Sequence, residues 1–163
     1  MTIIHDLPAH VLFVHFLVVL APLTALLEIT CALWPAARRG QLGWLTAILA
    51  VVTMVLTPIT ANAGGWLYDL RRSPSPILQK HAELGDTMVY FAVALLVVAV
   101  GLLALGRVER RSGSRGRVVN VSVAIVAIVV GVATMIQIYR VGDAGAVSVW
   151  GNEIAHLKQA NPK

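Results

Sequence analysis

Charge is scarce in this chain. Asp, Glu, Lys and Arg make up 13% of its 163 residues, where a soluble domain carries about 25%. Hydrophobic residues reach 58% and the mean hydropathy is +0.79, so too little polar surface exists to cover a water-soluble globule. The single cysteine, Cys31, excludes an internal disulfide; it sits in an apolar run and reads as a small hydrophobe. No Walker loop, no nucleotide-binding glycine fingerprint after a strand and no credible Ser-His-Asp arrangement occurs. A soluble enzyme is excluded on that ground, and the balance is against any enzyme. The net charge of +5 does not indicate nucleic acid, because Lys and Arg flank apolar runs and form no broad basic face. The N-terminus lacks the basic region and small-residue cleavage site of a secretory leader, so the first apolar run reads as a retained anchor.

What the chain has in abundance is long apolar runs. A hydrocarbon core about 30 Å thick needs roughly 20 such residues per helix. Four stretches meet this: 11–34, 42–61, 84–105 and 118–138, none with a Lys or Arg. They do not alternate at period two, which argues against a β-barrel. The expected fold is all-α: an integral membrane four-helix bundle, a single transmembrane domain over 1–163. The connections predicted are 35–41, 64–83 and 107–117. The first and last hold seven of the 13 basic residues in two short loops, which places those loops in the cytoplasm of a bacterial inner-membrane protein and both termini outside.

The halves resemble each other. Thr53-Met54 and Gly64 recur 81 positions later as Thr134-Met135 and Gly145, and Ala63 as Ala144. His10 precedes His15 by five residues, as His81 precedes Asp86. These matches indicate two repeated helical hairpins related by an axis along the membrane normal.

The histidines lie toward one side of the expected topology, at outer span ends or in outer segments. His10 and His15 are about 140° apart around a helix, which disfavours a compact metal face on that helix alone. His15 lies inside the span, where an ionisable group suggests function. If His10 and His81 occupy equivalent places, the repeat axis brings them together, and paired histidines from two helices are how bundles hold a b-type haem. The cofactor candidates are therefore His10, His15 and His81. His15, His81 and Asp86 would instead suit a divalent metal. Gly64-Gly65 and Gly142-Gly145 are places where a flat cofactor or a neighbouring helix can approach closely. Glu83, Asp86 and Tyr90 share a helical face, which reads either as a ligand or proton-relay cluster or as an acidic first turn. Asp143 is a further polar candidate. Glu28 shares a face with His10, Thr24 and Cys31; a carboxyl there costs roughly 2.5–3.5 kcal/mol to insert unless paired, and a hydrogen bond across the bundle is its expected role.

The string LPAHVLFVHFLVVLAPLTALLE over 7–28, with His81-x-x-x-Gly85 and VGDAGAVSVWG over 141–151, resembles a bacterial membrane-protein family known as domain of unknown function 2231. The resemblance implies a four-helix bundle. In some relatives such a domain is joined to cytochrome c-like segments, which implies electron transfer. Relatives often carry His where this chain has Asp143, a departure that weakens a two-haem version. Three functions follow as expectations: a haem- or metal-binding electron-transfer module; a structural or accessory subunit, as a homo-oligomer or within a larger complex; and a small proton- or ion-coupled transporter. The bilayer is the partner common to all three.

Overall fold

The computed structural model describes residues 3–4, 7–113 and 116–160. His5 and Arg115 lie outside them. A short antiparallel pairing of β1 (Ile3–Ile4) with β2 (Leu7–Pro8) precedes five helices: α1 (Ala9–Leu33), α2 (Pro35–Arg39), α3 (Gln41–Asp69), α4 (Pro76–Ser112) and α5 (Arg117–Ala160). Four of these are long and apolar enough to cross a membrane.

Local sequence explains the breaks. Trp34, held extended before Pro35, ends α1. Ser75 caps α4 by accepting the Leu78 amide at 3.3 Å, with Pro76 in the first helical turn. Gly113, at φ 82°, closes α4 in a region that glycine enters without strain. Pro22 and Pro58 sit inside α1 and α3 without ending them.

The helices outrun the apolar spans read from sequence. The connection expected over 64–83 shrinks to 70–75, because α3 continues to Asp69 and α4 begins at Pro76. The segment expected as a loop over 35–41 contains α2, and α4 runs on to Ser112. At 1.5 Å per residue α4 and α5 are about 56 and 66 Å long. Helical propensity does not stop where hydrophobicity does.

Around the bundle the order is α1, α3, α4, α5, and α1 and α4 face each other across the shorter diagonal. Alanine and threonine fill the interior: Ala21, Ala25, Ala50, Ala92 and Ala99 are buried, as are Thr24, Thr46, Thr53 and Thr57. Many large side chains point outward, with Val19 62%, Val97 65% and Val129 61% exposed, while Leu17, Met88, Leu95 and Leu102 are buried. Such an inverted arrangement is stable in lipid, where small residues let backbones approach and apolar surface need not be hidden. Aromatic rings mark the ends, with Trp34 and Trp44 flanking α2 and Trp150 beyond Val141 on α5, all exposed.

Candidate functional site

The two ends of the bundle are chemically distinct. At one end, the α1–α4 diagonal is crossed by His10 and His81, whose ring centroids lie 6.2 Å apart with planes at 79°. Each is held in the same way. His10 Nδ1 donates to the Thr60 carbonyl on α3 at 2.9 Å, and His81 Nδ1 donates to the Val141 carbonyl on α5 at 2.9 Å. A carbonyl can only accept, so each Nδ1 carries the proton, and a neutral ring keeps its lone pair on Nε2.

Glycine makes both bonds accessible. Gly64 lies one turn beyond Thr60, and Gly145 one turn beyond Val141. A Cβ on Gly64 would come within 2.9 Å of His10 Cε1 and Nδ1; one on Gly145 would come within 2.9 Å of His81 Cε1. Both acceptors and both glycines are 81 positions apart, so the repeat extends to hydrogen-bond geometry. The faces of Gly64 and Gly145 are therefore filled by imidazole rings rather than left for a flat cofactor. Gly65 and Gly142, by contrast, border open space.

The other sequence candidates are placed elsewhere. His15 is exposed and its Nδ1 bonds the Val11 carbonyl of its own helix. Glu83, Asp86, Tyr90 and Asp143 are exposed. Asp86 lines an open cleft of about 510 Å³ between α3 and α4, with Asn62, Trp66 and Asp69. Among the described residues no group of three or more His, Cys, Asp or Glu converges on one point. The set His15, His81 and Asp86 is thus not gathered: five residues along a helix rotate Asp86 away from His81.

At the opposite end lies an ion pair that sequence reading did not anticipate. Arg38, expected in a cytoplasmic loop, is 1% exposed. Its Nε donates to Glu109 Oε2 at 2.9 Å, its Nη2 also reaches Glu109 Oε1 and Asn120 Oδ1, and its Nη1 donates to the Ala32 carbonyl at 3.2 Å. Gly43 and Gly106 press against the Arg38 backbone carbonyl, where a Cβ on either would collide. Arg38 and Glu109 are 71 positions apart, the same offset that relates His10 to His81. That coincidence and the flanking glycines were the available signals. Nearby, the Arg107 guanidinium lies 4.3 Å from the Trp44 ring centroid.

Between the two ends runs a column of polar side chains. Thr60, Thr57, Thr53 and Thr46 on α3 and Thr24, Glu28 and Cys31 on α1 are all buried. Thr24 and Thr53 hydroxyls are 3.4 Å apart, and Cys31 Sγ lies 3.6 Å from the Thr46 hydroxyl. The sequence-predicted face joining Thr24, Glu28 and Cys31 is therefore the interior face.

Four membrane-length helices, a core of small residues and a column of polar side chains along its axis define an integral membrane protein built as a four-helix bundle. The chain belongs to the family of predicted membrane proteins known as domain of unknown function 2231, whose profile matches residues 6–158. No curated protein and no solved structure matches it.

Proposed function

We propose that this protein is a membrane-embedded metal-binding module for electron transfer, with His10 and His81 as its ligand pair. One observation carries the reading: both imidazoles are oriented by the same Nδ1–H···O=C bond at 2.9 Å, on opposite helices, with centroids 6.2 Å apart. A hydrogen bond from the non-ligating nitrogen to a backbone carbonyl is the usual second-shell support of a metal-bound histidine. With metal–nitrogen distances of about 2.0–2.1 Å, two imidazoles on opposite sides of one ion have centroids about 6–6.5 Å apart. Imidazole suits copper, iron or zinc, and electron transfer narrows the choice to copper or iron.

A single ion fits these residues better than haem b. The glycine faces that would admit a macrocycle hold the histidine rings themselves, and neither His10 nor His81 lines the α3–α4 cleft or the small cleft beside Arg38. Dense basic connections at the arginine end support placing the histidine end outside a bacterial cytoplasmic membrane. Absorption spectroscopy of the protein purified from cells, with metal analysis, tests the reading. One copper or iron per chain without a Soret band is the expected outcome; a Soret band lost in His81→Ala would replace the single ion by haem. No chromophore and no stoichiometric metal would reject both.

A second reading is a cofactor-free accessory subunit, in which the histidine bonds only clasp the helices. It is favoured by the end of α5, where Trp150, Ile154 and Leu157, spaced to share one helical face, are 60%, 49% and 55% exposed. Co-purification of one stoichiometric partner, with no metal, would support it.

A further inference from the structure

The interior of the first hairpin contains a carboxyl that the histidine site does not use. Glu28 is 0% exposed, and neither Oε1 nor Oε2 has a hydrogen-bond partner. The hydrogen bond across the bundle expected from the sequence is not formed. Polar neighbours are near, but their protons are engaged. Thr24, Thr46, Thr57 and Thr60 each donate to the carbonyl four residues earlier on their own helix, at 2.7–2.8 Å. What these hydroxyls turn toward the axis is lone pairs. Thr53 is the hydroxyl in this column not committed to its own backbone, and it lies 3.4 Å from the Thr24 hydroxyl rather than on Glu28.

The duplication sharpens the point. The 71- and 81-residue offsets set Thr24 against Leu95, Glu28 against Ala99, Cys31 against Leu102 and Thr46 against Ala127. Leu95, Ala99, Leu102 and Ala127 are all buried, so at these four places the second hairpin presents hydrocarbon where the first presents oxygen or sulfur; its buried Thr134 donates to the Val130 carbonyl, and its buried Gln137 donates to the Leu84 carbonyl and the Thr87 hydroxyl. A desolvated metal or alkali cation needs several oxygen ligands around it, and at these four places the facing wall offers none. A proton needs only the carboxyl.

Charged groups leave Glu28 unneutralised. On α1 the other titratable group nearby is Cys31. Arg38 of α2, one helical end away, is committed to Glu109 of α4. α3 carries no charged residue before Asp69, α4 none between Asp86 and Arg107, and α5 none between Arg117 and Arg140. The histidine pair caps the far end, beyond Thr60. An ionised carboxylate in such surroundings costs several kcal/mol, which the neutral acid avoids.

We propose that Glu28 is a proton-binding site inside the membrane, and that the threonine column from Thr24 and Thr53 to Thr60 is the route by which it exchanges protons with the histidine end, each hydroxyl accepting a proton on its inward lone pair and turning its own away from the backbone carbonyl to pass it on. The inference is independent of whether His10 and His81 hold a metal.

Infrared spectroscopy of the full-length protein in lipid tests it. Wild type at neutral pH should show the carbonyl band of a protonated carboxyl in an apolar setting. That band should be lost completely in Glu28→Gln and should shift in D₂O, more slowly in Thr53→Val, which removes a hydroxyl from the column. Absence of the band in wild type, or its persistence in Glu28→Gln, would overturn the site; a D₂O shift as fast in Thr53→Val as in wild type would overturn the route. Because a variant can fail to fold, wild type is also treated with a hydrophobic carbodiimide, which modifies protonated carboxyls in the lipid phase. Mass spectrometry should find the adduct on Glu28, diminishing as pH rises and indifferent to sodium or potassium. Protection by either cation at fixed pH, or no adduct on Glu28, would contradict a proton site.

Discussion

Replacing Gly64 by alanine isolates the geometry on which the histidine site depends. The new Cβ would stand 2.9 Å from His10 Cε1 and Nδ1, whereas carbon atoms prefer about 3.5–4.0 Å. The ring must retreat by roughly 0.6–1 Å, and Nδ1, now 2.9 Å from the Thr60 carbonyl, leaves hydrogen-bonding range. Losing that bond costs about 0.5–1.5 kcal/mol. Crowding a packed site adds about 1–3 kcal/mol. Alanine's better helix propensity returns up to about 1 kcal/mol. The net expectation is a loss of about 0.5–4.5 kcal/mol. Gly65→Ala is the matched control: its neighbour position meets nothing within 4 Å, so only the propensity gain remains. Unfolding in mixed detergent micelles, followed by circular dichroism, reads both. The duplicated site provides a replicate, with Gly145→Ala destabilising and Gly142→Ala not. In His10→Ala/Gly64→Ala the glycine change should add little, because the ring it displaces is gone. Equal stability of Gly64→Ala and Gly65→Ala would refute the seat.

Other outcomes follow from the arginine end. Glu109→Leu should destabilise by about 3–5 kcal/mol by leaving the buried Arg38 guanidinium without its carboxylate, while Arg38→Met/Glu109→Leu should be milder than either single change, checked by the same unfolding assay. Gly43→Ala and Gly106→Ala should each be worse than Gly64→Ala, since the atom obstructed is the Arg38 backbone carbonyl rather than the end of a side chain; loss of folded protein on size-exclusion chromatography would show it. His15→Ala should leave stability within about 0.5 kcal/mol of wild type, because the side chain is exposed and bonds only its own helix.

Hydrophobicity made the four crossings legible, and the 81-residue recurrence of Gly64 as Gly145 indicated the duplication. Helix ends were not legible, because Asn62, Tyr68 and Asp69 at the end of α3, or Lys80 and Glu83 at the start of α4, continue a helix beyond an apolar core as readily as they end it. The pairing of His10 with His81 followed from the repeat, but their partners did not: the acceptors are backbone carbonyls of Thr60 and Val141, which leave no residue-type signature. Arg38 was misplaced for a related reason. A positive charge beside an apolar run reads as a solvated loop residue, and its burial is decided by Glu109, 71 positions away. Glu28 was placed on the right face, yet its lack of a partner emerged only from the neighbours that four helices bring to it.

The electron-transfer role proposed for this protein requires that His10 and His81 together hold one metal ion. X-ray absorption at the edge of whatever copper or iron co-purifies tests it most directly, with wild type compared to His10→Ala, His81→Ala and His15→Ala. About one ion per chain with two imidazole ligands is expected in wild type and in His15→Ala, with loss of the ion in the other two variants. Metal retained with an unchanged ligand shell in His10→Ala or His81→Ala, or no bound metal in wild type, would contradict it.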